Sequence, residues 1–349
     1  MKIALFLTSL ANAGPIVVAN DLSILLTGQG HDVSVFYFKN IVELDFPCSV
    51  TKISLFSKFN FDDYDVIHCH GLLPDIFVLL RKPLLSKTPV CSTIHSYLFQ
   101  DHAYKYGENL AWLTGRLVLY STKRDDMIIT LSKHAMNYYK SFLPVKKLTY
   151  AYNSRYCKSE GISNVLKEEI FKFKGTSFLL GSNCVISRRK GLHQIIEVLP
   201  LLPDVKLCII GDGKDKIKLE ELVNRLNLED RVLFLGRQEK AYRFLYLYDC
   251  FVMPSYSEGF PLALLEAASC KKATICSDIP IFREILTESE TSFFKLDNRD
   301  SLVSAINRVI KERESLENNI YTRYKGDYSP ECFLNRHIEI YTKLINGTR

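Results

Sequence analysis

The stretch Pro254-Ser-Tyr-Ser-Glu-Gly-Phe-Pro-Leu-Ala-Leu-Leu-Glu-Ala-Ala-Ser-Cys270 decides the fold, because it leads from an apolar strand-like run through a glycine-containing loop into a helix. The leucines and alanines are strong helix formers. Proline suits the first helical position, so we expect the helix to begin at Pro261. Glu258 in the loop and Glu266 in the helix have seven residues between them. Helix-start N–H groups suit a phosphate and carboxylates suit hydroxyl groups, so the stretch predicts a sugar-nucleotide site.

An ordinary structural role for the two acids is the alternative. Glu258 could complement the helix dipole, and Glu266 could be a solvated helix position. The apolar start of the helix argues against this for Glu266, because an unsatisfied carboxylate there would be costly.

Strand-like apolar runs alternate with helical stretches along the whole chain. The predicted strands are Ile3–Leu7, Val33–Phe38, Lys52–Phe56, Val66–Cys69, Val90–Ile94, Met127–Leu131, Leu148–Tyr152, Phe178–Ile186, Val205–Ile210, Val232–Leu235, Cys250–Met253, Ala273–Cys276 and Ser292–Leu296. Such alternation indicates parallel sheets covered by helices on both faces. Two α/β units of similar size therefore follow each other, with ligands expected beyond the carboxyl ends of the strands.

The join between the two units is predicted in the polar stretch Lys158–Asn164. This divides the chain into residues 1–157, residues 158–329 and a C-terminal segment, 330–349. Within that last segment, Pro330–Asn346 has the pattern of a separate amphipathic helix.

Composition excludes several classes of protein. The 349 residues are 47% hydrophobic and 24% charged, as in soluble globular proteins. A net charge of +6 is too small to indicate a nucleic-acid partner. The apolar run at Ile3–Leu7 reads as a buried first strand, and no run has the length of a membrane-spanning helix. Ten cysteines lie mostly in apolar runs without a CxxC pair, which favours a reduced cytosolic chain.

Histidines end two neighbouring strands. His68 and His70 close one strand, and His95 follows the next. Because no zinc motif with a suitably spaced third ligand occurs, we expect no metal. We expect His95 to face a ligand cleft and His68 to have a core or supporting role.

Aromatic and basic residues alternate over residues 97–124. They are Tyr97, Tyr104, Lys105, Tyr106, Trp112, Leu113, Arg116, Leu117, Tyr120, Lys123 and Arg124. This pattern predicts peripheral contact with an anionic membrane. The alternative is a packed surface helix with a solvated basic side.

A basic turn follows the first strand of the second unit. Arg188, Arg189 and Lys190 precede a helix that begins near Leu192, which predicts a diphosphate clamp rather than a merely solvated loop. Gly211 and Gly213 end the next strand, but residue 216 is Lys where a dinucleotide fingerprint needs glycine. A dinucleotide oxidoreductase is therefore disfavoured.

In order and spacing these motifs resemble the retaining GT-B glycosyltransferases of family 4. The resemblance is carried by the E-x7-E element from Glu258 to Glu266, by Asp65–Gly71, by Lys190-Gly191 and by Gly211-Asp-Gly213. It implies two facing Rossmann-like domains with a C-terminal helix that crosses back to the N-terminal domain. The second domain would bind a nucleotide-sugar donor.

The resemblance also implies roles for individual residues. Glu266 would bind the ribose hydroxyls, Glu258 would hold the donor sugar, and Lys190 would neutralise the diphosphate. His95 and Glu258 would be the catalytic residues, with His95 and Gly14 approaching from the N-terminal domain. The remaining expected donor-binding residues are Gly14, Arg188, Arg189, Gly211, Gly213, Gly236, Gly259, Phe260, Pro261 and Leu262. No cofactor or metal is expected, because the nucleotide sugar is a substrate and protein cations stabilise the leaving group.

Three positions depart from the family pattern. Val185 stands where the family has an arginine, so Arg188 or Arg189 is expected to replace it. The N-terminal double glycine is reduced to Ala13-Gly14, and the usual Asn-Gly after the last N-domain strand is Asn153-Ser154.

The expected activity is retaining transfer of a hexose or N-acetylhexosamine from a nucleotide sugar, expected to be a UDP-sugar. The acceptor would be lipid-linked or a polysaccharide, as in lipopolysaccharide, O-antigen or capsule synthesis. The protein would work in the cytoplasm, with peripheral contact at the inner face of the plasma membrane. A nucleotide-sugar epimerase of the same architecture and a non-catalytic carbohydrate- or nucleotide-binding module are the alternatives.

Overall fold

A computed structural model describes residues 1–100, 107–155, 157 and 161–348. Tyr104, Lys105 and Tyr106 of the predicted membrane segment lie outside the described residues, as do residues 158–160 of the predicted join. The described chain forms two compact units. The first comprises Met1–Ser154 and the residues from Pro330 onward, and the second comprises Arg155–Ser329.

The first unit is built on a seven-stranded parallel sheet. Its strands are β1 (Lys2–Leu7), β2 (Asp32–Tyr37), β3 (Ser49–Lys52), β4 (Val66–His70), β5 (Val90–Ile94), β6 (Met127–Thr130) and β7 (Leu148–Tyr150), in the order β3-β2-β1-β4-β5-β6-β7. Its helices include α1 (Gly14–Gly28), α2 (Leu72–Arg81), α3 (Glu108–Ser121), α4 (Lys133–Tyr139) and the C-terminal α11 (Pro330–Thr348). The central strands β4 and β5 are buried along their whole length, as parallel strands covered on both faces must be.

The second unit repeats this plan with a six-stranded parallel sheet. Its strands are β8 (Phe178–Asn183), β9 (Val205–Ile210), β10 (Val232–Phe234), β11 (Cys250–Met253), β12 (Thr274–Ser277) and β13 (Ser292–Phe294), in the order β10-β9-β8-β11-β12-β13. Its helices include α5 (Asn164–Lys174), α6 (Leu192–Val198), α7 (Lys216–Arg225), α8 (Leu262–Ser269), α9 (Pro280–Ile285) and α10 (Arg299–Asp327). The predicted architecture of two Rossmann-like domains with parallel sheets is confirmed.

Aromatic rings fill part of the core of the first unit. Phe6 meets Phe36, Phe59 and Phe77 edge to face, with ring centroids 5.0 to 5.5 Å apart. Such pairs contribute roughly 0.5–1.5 kcal/mol beyond the burial of their area. This cluster packs against β1, which lies between β2 and β4 in the sheet.

The C-terminal helix α11 packs on the first unit. Its Tyr341 is fully buried, and the Tyr341 hydroxyl lies 2.7 Å from Nδ1 of His68 on β4. Arg336 donates to the carbonyl oxygen of Tyr150 and to Oγ1 of Thr149 at the end of β7. The last helix thus packs against β4 and β7 of the first unit.

The third predicted strand was wrong. The strand is Ser49–Lys52, not Lys52–Phe56, and the Phe56 side chain is 86% exposed. Because β3 is the edge strand of the sheet, its exposed residues carry no apolar run that marks it. The apolar residues that follow belong to a loop, in which Ile53 and Leu55 pack against the core.

The other predicted strands agree with the observed ones to within two residues at each end, except β8. The first helix, α1, begins at Gly14, so Gly14 belongs to the helix. Strand β8 ends at Asn183, and Cys184 and Ile186 continue as a loop that donates to the carbonyl oxygens of Ile210 and Asp212. This loop therefore runs alongside the end of β9.

A buried carboxyl on α2 makes stability depend on pH. The Asp75 side chain accepts a hydrogen bond from Ser92 at 2.5 Å, and burial raises the pKa of Asp75 to about 7. Burial, with Asp75 nearby, also raises the pKa of Asp125 well above its ordinary value. The native state then binds more protons than the unfolded state above the ordinary pKa of aspartate. This contribution to stability is lost as pH rises towards 7.

We therefore expect Asp75→Asn to flatten the fall in stability on the alkaline side. Between pH 5 and pH 8 the free energy of unfolding of the wild type should fall by about 2 kcal/mol more than that of Asp75→Asn. Calorimetry at a series of pH values measures this difference. Glu314→Gln, at an exposed position of α10, is the control and should change nothing. Parallel pH profiles for wild type and Asp75→Asn would show that the carboxyl does not carry this proton.

Candidate functional site

The element from β11 to α8 forms the centre of the candidate site in the second unit. The helix begins at Leu262, and Pro261 is the residue that caps it, with extended backbone (φ −81°, ψ 92°). The expectation that Pro261 is the first helical residue was therefore wrong by one position. Because the Pro261 backbone is extended, Leu262 is the first residue with a helical backbone.

Glu258 joins this loop to the basic turn after β8. Its side chain is buried, and Oε1 accepts from Lys190 Nζ at 2.6 Å and from Ser255 Oγ at 2.7 Å. Oε2 lies 3.4 Å from Nη1 of Arg189, which also donates to the carbonyl oxygen of Ser257. Two of the three predicted clamp cations thus meet on one carboxylate, while Arg188 is exposed.

The charge of Glu258 follows from these contacts. Burial raises the pKa of this carboxyl, but the charges of Lys190 and Arg189 and the hydrogen bonds from Lys190 and Ser255 lower it more. The resulting pKa lies below the ordinary value, so Glu258 is ionised at neutral pH. Both of its oxygens are engaged, which does not suit a general acid.

The main chain holds the two loops close together. Gly191 has a left-handed backbone with φ +66°, and a Cβ at this position would lie 2.0 Å from the carbonyl oxygen of Pro254. The same oxygen accepts from Nε2 of Gln194, and the Tyr256 N–H donates to the carbonyl oxygen of Arg189. A residue other than glycine would force the basic turn and the Pro254 loop apart.

Close approach of backbones also explains Gly211 and Gly213. A Cβ on Gly211 would lie 1.8 Å from the carbonyl oxygen of Cys184, and one on Gly213 would lie 2.1 Å from that of Ile186. Gly211 also donates to the carbonyl oxygen of Gly236, so these turns are joined. What the structure shows for these glycines is tight loop packing beside the site, and a donor-binding role stays a prediction.

Glu266 lies on α8 with a partner that the sequence reasoning missed. Arg155 Nε donates to Glu266 Oε1 at 3.0 Å, and both side chains are largely buried. Their separation of 111 positions leaves no local sequence signal for this pair. The alternative of a solvated Glu266 is therefore wrong. Glu266 instead pairs with an arginine, because a largely buried carboxylate needs a partner.

Other predicted residues fall into two groups. Gly259 and Leu262 are partly accessible at the loop and the helix start. The Phe260 side chain is instead buried at 7% exposure, with its ring 6.2 Å from that of Tyr328. The side chain of Phe260 therefore belongs to the packing beneath the loop, and any donor contact from it would come from the backbone.

Histidines cluster at the carboxyl ends of β4 and β5 in the first unit. Nδ1 of His70 lies 2.9 Å from Nε2 of His95, and Nε2 of His68 lies 2.7 Å from Oγ1 of Thr93. Burial, with His337 nearby, lowers the pKa of His95 to about 3, and burial lowers that of His70 and His68 well below 6.5. The three rings are therefore neutral at physiological pH. Among the described residues, Nε2 of His70 has no hydrogen-bond partner.

A cavity of about 520 Å³ opens at these strand ends. Polar groups and apolar side chains both line it: Thr8, Ser9, His70, Asp75, Thr93, His95, Ser96 and Thr114, with Ile16, Leu72, Ile94, Leu98, Leu110 and Val118. Ala13 and Pro15 on either side of Gly14 also line it. The predicted cleft position of His95 thus corresponds to a cavity within the first unit, with His68 behind it as a supporting residue.

Over the part of the chain that the structure describes, no group of three or more His, Cys, Asp or Glu side chains is arranged to hold a metal ion. Likewise, no described helix has both the length and the apolar character needed to cross a bilayer. The buried cysteines on the strands, Cys69, Cys91, Cys208, Cys250 and Cys276, are free thiols.

The predicted membrane segment is divided by the structure. Tyr97 is buried, with its hydroxyl 2.7 Å from Nδ1 of His134. The exposed apolar and aromatic side chains of the segment lie on α3 and are Trp112, Leu113, Leu117 and Tyr120. Tyr97 is therefore part of the core, and membrane contact by the remaining residues stays a prediction.

Two family models match the chain, one in each unit. The model described as Glycosyltransferase Family 4 matches residues 14–154, and that described as Glycosyl transferases group 1 matches residues 166–326. Among curated proteins, the O-antigen biosynthesis glycosyltransferase WclY of Escherichia coli is 29% identical over 99% of both chains. An E. coli UDP-Gal:alpha-D-GlcNAc-diphosphoundecaprenol alpha-1,3-galactosyltransferase is 28% identical, over 75% of this chain and 70% of its own.

A solved structure shows the same fold. The HepE protein of Anabaena in complex with UDP superposes with a TM-score of 0.79 at 17% identity, covering 98% of this chain and 100% of its own. The two matching models cover most of the chain, and the chain belongs to the group 1, family 4 glycosyltransferases with the GT-B fold.

Proposed function

We propose that this glycosyltransferase moves a hexose or N-acetylhexosamine from a UDP-sugar to a lipid-linked or saccharide acceptor, with retention of anomeric configuration. The proposed process is assembly of O-antigen, lipopolysaccharide or capsule. Support comes from the names of its relatives, since one is an O-antigen glycosyltransferase and another uses UDP-Gal with a diphosphoundecaprenol acceptor. A structural neighbour was solved with UDP.

The observation that carries the proposal is the buried Glu258 carboxylate with Lys190 and Arg189 upon it. The carboxylate fixes two long cationic side chains at the carboxyl edge of the sheet before any ligand arrives. Preorganised cations stabilise a developing anion without the reorganisation that water would need. We infer that the diphosphate of the donor binds at this turn, with the exposed Arg188 as a third cation.

In the proposed reaction the bond between the sugar C1 and the diphosphate oxygen breaks, and negative charge develops on the leaving nucleotide. Lys190 and Arg189 would take up that charge, so no metal ion is required. The acceptor hydroxyl would attack from the same face and pass its proton to the leaving phosphate. Glu258 would position the sugar rather than act as nucleophile, because its oxygens are already held by Lys190, Ser255 and Arg189.

Glu266 and the first-unit cavity complete the proposed roles. Arg155 would orient the Glu266 carboxylate for the ribose hydroxyls. In the first unit, neutral His95 and the unpartnered Nε2 of His70 would hydrogen-bond acceptor hydroxyls within the cavity. Gly14, at the start of α1, would allow close approach to the substrate.

Nucleotide release tests the activity. Purified protein incubated with UDP-, GDP- and ADP-sugars and extracted lipid acceptors should release UDP from one UDP-sugar, at a rate unchanged by a chelator of divalent cations. NMR of the product should show the anomeric configuration of the donor. Absence of nucleotide release from every donor would refute transfer. Conversion of the sugar without an acceptor would instead indicate an epimerase, which the relatives do not support.

Removing the Glu266 carboxylate should weaken donor binding. We expect Glu266→Ala to raise the dissociation constant of UDP roughly 10- to 100-fold, because hydrogen bonds to a charged group contribute roughly 1.5–3 kcal/mol. Isothermal titration calorimetry measures it. Glu221→Ala, at an exposed position on α7 of the same unit, is the matched control. Equal UDP affinity in both variants would remove Glu266 from the donor site.

Neutralising Glu258 should affect turnover more than nucleotide binding. Glu258→Gln keeps the shape but loses the charge that positions Lys190 and Arg189, so we expect kcat to fall roughly 100-fold or more. The dissociation constant of UDP should change by less than about tenfold, since the cations themselves remain. Glu290→Gln, a carboxylate on the loop before β13, controls for loss of charge. Wild-type kcat in Glu258→Gln would contradict the proposed role.

A further inference from the structure

Helix α3 of the first unit is apolar on two sides. Leu110 and Val118 line the cavity together with the polar Thr114, and Ala111 is buried. The opposite positions would be polar on an ordinary surface helix, but they are Trp112, Leu113, Leu117 and Tyr120, which are 47 to 61% exposed. A helix with apolar side chains on two opposite sides is typical of a core or of a membrane surface. The outer side of α3 therefore needs an apolar neighbour.

The segment after α2 adds to this outer side. Leu80, Leu84 and Leu85 are 64%, 92% and 94% exposed. Arg124, just beyond α3, donates to the carbonyl oxygens of Leu79 and Pro83 at 3.4 and 3.2 Å. These bonds place the exposed leucines beside the end of α3, so we treat the outer side of α3 and residues 80–87 as one surface, the leucine–aromatic face.

Cations outnumber acids on and around the leucine–aromatic face. Residues 76–87 contain three cations and no acid, and residues 109–124 contain another three and no acid: Arg81, Lys82, Lys87, Arg116, Lys123 and Arg124. Arg116 lies over the Trp112 ring at 5.2 Å, and Lys123 over the Tyr120 ring at 5.7 Å. The exposed acids nearby include Glu108 at the start of α3, Asp126, paired with Lys82, and Asp62, which accepts from Ser86. Exposed apolar groups ringed by cations match an anionic lipid surface.

We propose that the leucine–aromatic face docks the first unit onto an anionic bilayer, with Leu84 and Leu85 inserted below the headgroups and the aromatic rings at their level. The other side of α3 lines the cavity. After docking, a lipid-linked acceptor would therefore reach the cavity mouth while its lipid stays in the bilayer. This second step rests on the proposed function, whereas docking itself does not. Two such faces would repel each other through their cations, which disfavours a second copy as the occupant.

Vesicle sedimentation tests the docking. Wild-type protein should sediment with vesicles containing about one third phosphatidylglycerol at low salt, and much less with pure phosphatidylcholine or at high salt. We expect Leu84→Ser/Leu85→Ser to weaken binding about tenfold or more, and Lys87→Glu/Lys123→Glu to do so on anionic vesicles. Ile217→Ser, an exposed apolar residue 68% accessible on α7, is the matched control.

Three outcomes would overturn the proposal. These are failure of the wild type to bind anionic vesicles, unchanged binding by Leu84→Ser/Leu85→Ser, or a wild-type dimer that this variant converts to monomer. UDP affinity and circular dichroism should be unchanged in every variant, which shows that the fold and the donor site are intact. Loss of vesicle binding with intact UDP affinity is thereby distinguished from failure of the proposed transfer activity.

Discussion

The second unit depends on one buried carboxylate. Glu258 binds Lys190, Arg189 and Ser255 at once, and so ties the loop after β11 to the basic turn after β8. A carboxylate at 6% exposure is stable only with such partners. The carboxylate in turn fixes the positions of the two cationic side chains. The left-handed Gly191 and the contact of its backbone with Pro254 follow from the same constraint, because a side chain there would separate the two loops.

The carboxyl ends of the strands carry different charges in the two sheets. In the second unit the edge is ionised, with acid and base paired. In the first unit the comparable edge carries histidines that burial keeps neutral, above a cavity with apolar walls. A neutral imidazole can donate or accept a hydrogen bond, so it suits hydroxyl groups, whereas the paired cations suit a phosphate. The division of labour proposed for the two units therefore has a physical basis in burial, independent of any sequence similarity.

Sequence reasoning succeeded where burial on both faces leaves a continuous apolar run, as in β1, β5, β9 and β11. It failed at the edge strand β3, where no such run is required, and at Pro261, where helix capping is a matter of one residue. Glu258, Glu266 and the basic turn could be recognised as chemically suited to a ligand. Their pairings could not, because contacts between Glu258 and Lys190 or between Arg155 and Glu266 join residues far apart in the chain.

Helix α3 shows how one element can serve two surfaces. Val118 and Leu110 form part of the cavity wall, but this role does not account for Trp112, Leu113 or Tyr120 on the other side. Exposed aromatic and leucine side chains in water forgo the free energy of burial, at roughly 25 cal/mol for each Å² of apolar surface. Scattered exposed residues of this kind are common, but a contiguous set beside Leu84 and Leu85 and within a ring of cations is not. The cavity and the outer surface thus lie on opposite sides of α3, so a contact made by the outer side also sets the position of the cavity.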